Sequence, residues 1–139
     1  MSRRWLVALA ALALAASACQ NATDLKTGDC YNGGNGDSVS TVTPVDCAQP
    51  HENEVFATIP HPGANGPYPG DVVLEEFADR ECVAAFQTFV GRSYEASELY
   101  IGYLTPSPET WSDGDHVVSC ILHLENDASL TGSMQGSGR

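Results

Sequence analysis

The chain is 139 residues long, with 18 acidic side chains against six lysines and arginines and a net charge of −12. A surface that acidic repels nucleic acid and anionic headgroups, which excludes a nucleic-acid partner. The length suits a single domain, and at roughly 100 folded residues such a domain buries a little under two-thirds of its unfolded surface.

The N-terminus is a leader. Met1-Ser2-Arg3-Arg4 is basic, Trp5 to Ala16 is continuously apolar, and Ser17-Ala18 are small. That pattern predicts a signal peptide over residues 1–18, with an apolar part too short to span a bilayer. Ala16-Ser17-Ala18 fits an ordinary A-x-A cleavage site, and Ala16-Ser17-Ala18-Cys19 also resembles the bacterial lipobox. Cysteine parity separates the two. Five cysteines are odd in an exported chain, and lipid on Cys19 leaves Cys30, Cys47, Cys82 and Cys120 to form two bridges. The expectation is a lipidated Cys19 that ties the protein to the extracytoplasmic side of the cell membrane, followed by a tether over residues 19–24. More than one acyl chain anchors stably. Without the leader, Lys26, Arg80, Arg92 and Arg139 face all 18 carboxylates, a net of −14.

A domain is expected over residues 25–132. Asn32 to Asp37 is a glycine-rich turn. Ser38 to Val45 alternates, with Val39, Thr41, Thr43 and Val45 on one face, and reads as a strand. Glu54 to Ile59 reads as a second strand, with Val55, Ala57 and Ile59 on one side and Phe56 on the other. Pro60 to Gly70, with four prolines and three glycines, is a loop. Asp71 to Val90 is the clearest element, a helix whose apolar stripe holds Leu74, Phe77, Ala78, Cys82, Ala85, Phe86 and Phe89. Asp71 is its expected cap and Gly91 its stop. Leu99 to Leu104 is a short strand, Glu109 to Asp115 a turn around Trp111, and His116 to Leu124 the last strand. Residues 133–139 read as a flexible tail. The pattern predicts an α+β domain: a small, mostly antiparallel sheet with one main helix (about 71–90) packed on it, braced by two disulfides.

Four cysteines allow three connectivities. Sequential pairing is favoured, because Cys82 on the helix stripe and Cys120 on the inward face of the last strand point toward each other. None of the four has the C-x-x-C spacing of a redox or zinc site. His51, Glu52 and Glu54 form a polar cluster beside Pro50, and Trp111 is the candidate aromatic contact; these four are the candidate binding residues. No second histidine falls at the spacing a metal site needs, and no nucleophile–base set is present, so no catalytic residue, metal or cofactor is expected. Asn32, Asn35 and Asp37, or Asp113 and Asp115, offer oxygens for calcium without a full ligand ladder, and read as turns.

Three stretches carry a family resemblance: Asp24-Leu25-Lys26-Thr27-Gly28-Asp29-Cys30-Tyr31, then Val45 to Ala57 with its Asp46-Cys47-Ala48-Gln49-Pro50-His51-Glu52-Asn53-Glu54 core, then Pro106 to His116 around Trp111. Leu130-Thr131-Gly132-Ser133 matches as well. In this order they resemble the septum formation family of small exported or membrane-anchored domains. The resemblance implies an extracytoplasmic domain connected with division septa, and brings no catalytic site, cofactor or substrate. The expected function is a non-enzymatic binding or adaptor module in cell division or septum formation, with division or cell-wall proteins as partners. The alternative is binding of a small ligand or cell-wall fragment in a groove near Trp111 and His51.

Overall fold

The computed structural model describes residues 18–34, 36 and 38–139. The expected leader, residues 1–17 of it, lies outside the described residues, as do Asn35 and Asp37 of the suggested calcium loop.

Helix α1 spans Asp71–Val90, the predicted bounds. Its stripe of Leu74, Phe77, Ala78, Cys82, Phe86, Phe89 and Val90 is buried, and each large side chain contributes roughly 1.5–3 kcal/mol by leaving water. Gly91 ends the helix at φ 86°, a left-handed position that suits glycine, and its N–H bonds the Gln87 carbonyl. The start differs from expectation. Gly70 occupies the N-cap, and Asp71 is instead the first helical residue, where its carboxylate accepts the Tyr68 hydroxyl.

The helix packs on a six-stranded antiparallel sheet of β1 (Gln20–Asn21), β2 (Cys30–Asn32), β3 (Thr41–Val45), β4 (Asn53–Pro60), β5 (Tyr100–Leu104) and β6 (Val117–His123). The strand order is β1-β3-β2-β4-β6-β5. The long β4–β6 pair runs from Asn53 opposite His123 to Pro60 opposite Val117. Cys82–Cys120 joins α1 to β6, and Cys30–Cys47 joins β2 to the corner after β3. The sequential pairing is the one formed.

Two strands present other faces than alternation predicts. In β4 the register slips between Val55, opposite Ile121, and Ala57, opposite Cys120. This bulge puts two residues of β4 against one of β6. Phe56 therefore joins Ala57 and Ile59 under the helix, while Val55 faces away with Ile121. In β3 the buried residue is Val42, not the Thr41/Thr43/Val45 set, and Val39 packs beside it from outside the strand. A Val–Thr alternation does not identify its inward face by itself, because both residue types suit a strand.

The sheet thus has a core on each side. The helix covers one face, and Ala22, Leu25, Tyr31, Val42, Val55 and Ile121 form a second cluster on the other. Residues 19–24 are consequently no free tether: Gln20 pairs with Val42, Asn21 with Thr41, and Ala22 is buried.

The C-terminal residues are also held, contrary to the flexible tail expected. Leu130 and Met134 are buried, Gly136 N–H bonds the Phe89 carbonyl, and Gly138 N–H bonds that of Val90. Backbone groups of the helix end are the partners, which no local sequence pattern announces. The expected turn at Trp111 is a short helix, α2 (Pro108–Ser112), capped by Ser107 with Thr110 returning the bond.

Candidate functional site

The corner from Cys47 to Glu54 is built by the disulfide and by two exchanged backbone bonds, His51 N to Leu130 O at 3.0 Å and Leu130 N to His51 O at 2.7 Å. His51 and Glu54 are both fully buried, at 0% exposure. His51 Nδ1 donates to the Gln49 carbonyl at 2.8 Å, and its Nε2 is buried without a hydrogen-bond partner. Glu54 accepts from the Ser133 hydroxyl at 2.5 Å and from Met134 N–H at 2.7 Å. Glu52 turns elsewhere and accepts Gly33 N–H at 2.8 Å. The two carboxylates thus brace two different segments, the C-terminal stretch and the glycine turn.

One nitrogen of His51, one oxygen of Glu54 and the Cys30 sulfur lie within 4.8 Å of one another. The donor set does not suit a metal. The Cys30 sulfur is spent in a disulfide and is no thiolate, and both Glu54 oxygens already accept hydrogen bonds. The chemistry this corner performs in the fold is to receive the C-terminal residues.

Trp111 is buried, at 5% exposure. Its ring meets His116 at 4.5 Å, His61 at 5.7 Å and Tyr68 at 5.9 Å, and its Nε1 donates to the Gly66 carbonyl at 3.1 Å. It fastens the proline-rich loop to α2. Tyr100 lies outside this cluster and stacks on His123, at 5.9 Å. Nor does one groove include both Trp111 and His51. His51 precedes β4 and His61, against Trp111, follows it, so the two ends are roughly 30 Å apart along the strand.

Sequence reasoning missed the sheet face opposite the helix. Cross-strand register sets Tyr31 beside Asn53, Asn53 beside His123, and His123 beside Tyr100, a row across four strands. Next to that row Gly102 has no side chain, and a cleft of about 290 Å³ opens there, lined by Tyr31, Ile121, His123 and Leu104 among others. A second hollow, of about 230 Å³, lies between Leu25, Gly28–Tyr31 and Pro44–Cys47. The alternation of Tyr100, Gly102 and Leu104 carried the signal for the first, since residues two apart share a face.

At the other end of the sheet Cys19, free and exposed, directly precedes β1. No helix among the described residues is long and apolar enough to cross a membrane.

The description "Septum formation" fits residues 27–139, four-fifths of the chain. The chain belongs to the septum formation family. The match covers the corner, α1, the Trp111 cluster and the docked C-terminal residues, so this family's domain includes the stretch first read as tail. The chain is 33% identical over 96 residues to the protein named "Putative lipoprotein LppN" of Mycobacterium tuberculosis (strain ATCC 25618 / H37Rv), covering 67% of this chain and 51% of that protein. The protein of the same name from Mycobacterium bovis (strain ATCC BAA-935 / AF2122/97) gives the same figures. This septum formation chain therefore spans about half the length of the curated relatives it matches. No solved structure matches it significantly.

Proposed function

We propose that this chain is a lipoprotein anchored through Cys19 to the outer face of the cell membrane, where it binds other envelope proteins as a non-enzymatic adaptor in septum formation. The observation that carries this reading is Cys19 itself. It is the one cysteine among the described residues outside a disulfide, and it adjoins the sheet with no spacer. The family description and the relatives named as lipoproteins support the same reading. His51, Glu52 and Glu54 act as braces for neighbouring segments, so the reading assigns them no proton transfer. A lipid on Cys19 holds the β1 edge at the headgroups and turns β5, five strand spacings or roughly 24 Å away, outward.

The test is crosslinking in intact cells with mass spectrometry of the captured proteins, using a Cys19→Ala strain as control. The reading predicts division or wall-synthesis proteins, reproducibly captured and lost with the anchor. Capture of no protein contradicts it. A second reading, binding of a small ligand or wall fragment, is favoured by the cleft beside Gly102 rather than by the Trp111 region. It predicts saturable chemical-shift changes at Gly102, Ile121 and His123 on addition of wall fragments.

A further inference from the structure

The two edges of the sheet are treated differently. On the Cys19 side, β3 carries Pro44 and is partly covered by β1, only two residues long. Short edge strands and proline are the usual protection against unwanted strand pairing. The β5 edge has none of this. Tyr100-Ile101-Gly102-Tyr103-Leu104 is uncharged, free of proline, and paired with β6 in unbroken register from Tyr100–His123 to Leu104–Ser119. Among the described residues, no backbone hydrogen bond reaches its outer side.

What borders this edge gives the chemistry of its occupant. Asp71, Glu75 and Asp79 lie at i, i+4 and i+8 on α1, and all three are exposed. Glu75 and Asp79 reach the β5 side, where burial first and then these two carboxylates raise the Tyr103 phenol above its ordinary value. Like charges at i, i+4 destabilise a helix by a few tenths of a kcal/mol per pair, and of the three only Asp71 sits in the first turn, where the helix N-terminus favours an acid. No ion pair among the described residues includes any of the three: Arg80 pairs with Glu81 and Arg139 with Glu98.

We propose that β5 is the adaptor's docking edge, and that it receives an extended segment of a partner protein with lysine or arginine at alternate positions. Main-chain bonds to the free edge of β5 hold the added strand. Its period of two sends every second side chain to the helix face, toward Glu75 and Asp79. The proposal rests on the adaptor reading and specifies its surface.

The probe is a short peptide alternating lysine with valine or threonine, compared with the same peptide carrying glutamate at each lysine. Hydrogen exchange is followed along the whole purified domain. The expected result is slowed exchange at Tyr100–Leu104 with the lysine peptide alone. Affinity should fall at least roughly tenfold in Glu75→Lys/Asp79→Lys, whose exposed positions leave folding intact, and fall again with added salt. Three results with the purified domain overturn the proposal. One is protection scattered over the acidic surface without β5. Another is unchanged affinity in the double variant. The third is β5 protection that grows with protein concentration in the absence of peptide, which makes a second copy the occupant. If intact cells still capture the same partners with the double variant, this surface is wrong and the adaptor reading stands.

Discussion

Replacing Glu54 by alanine removes the receiver of the C-terminal residues, and the structure sets the size of the effect. Two bonds are lost, from the Ser133 hydroxyl at 2.5 Å and from Met134 N–H at 2.7 Å. Ser133 is exposed and recovers a water partner, whereas Met134 is buried and its N–H is left without an acceptor. An unsatisfied buried donor costs about 1–3 kcal/mol, and the emptied side-chain volume adds to that. The desolvation of the carboxylate, which the alanine variant escapes, offsets part of the loss. A net of about 3 kcal/mol remains, which for a domain of this size lowers the melting temperature by roughly 15 °C. Glu54→Gln separates packing from charge. Its amide oxygen still accepts Met134 N–H, and its amide nitrogen donates to a rotated Ser133 hydroxyl, so its cost is only about 1 kcal/mol. Thermal unfolding followed by circular dichroism measures both variants. Amide exchange at Gly136 and Gly138, bonded to the end of α1, reports release of the tail. A melting temperature for Glu54→Ala within a few degrees of the parent, or unchanged protection of those two amides, refutes the reasoning.

Removing the Cys82–Cys120 bridge by double alanine substitution should cost about 4 kcal/mol, against about 3 for Cys30–Cys47, because its sequence separation is 38 rather than 17; denaturant titration of the two double variants gives the order directly. Trp111→Ala should destabilise by about 3–5 kcal/mol and make the 61–70 loop cleavable by protease, since Nε1 is its tie to Gly66. The Tyr68 phenol, raised from 10.0 to about 12 by burial and then by Asp71, favours the fold while neutral. Its contribution is therefore complete below pH 10 and lost as the pH rises through 12. Phenolate absorbance should show this late ionisation in the parent and an earlier one in Asp71→Asn.

The legible part of this chain was its periodic part. The α1 stripe recurs every three or four residues over five turns, so both its bounds and the inward aim of Cys82 follow from sequence. Cys120 alternates with Val118 and Leu122, which is why sequential bridging could be favoured. The errors are non-local. A bulge moves Phe56 to the helix side by inserting one residue, and alternation cannot register that insertion. The C-terminal glycines and serines look flexible until Glu54, Phe89 and Val90 are brought to them by the fold. Two signals were available and passed over. Glu54, directly before the apolar run Val55-Phe56-Ala57, marks a charge that needs buried donors, and Ser107-Pro108 is a helix start of the Ncap–N1 kind. Of the candidate residues, His51, Glu52 and Glu54 hold neighbouring segments, and Trp111 holds a loop far from them.

The central claim is that a lipid on Cys19 holds the sheet edge against the membrane without a spacer. Intact mass spectrometry of the protein extracted from host membranes tests it most directly. The account predicts a chain that begins at Cys19 and carries acyl chains on that residue. A chain that begins elsewhere, or begins at Cys19 with a free thiol, contradicts it.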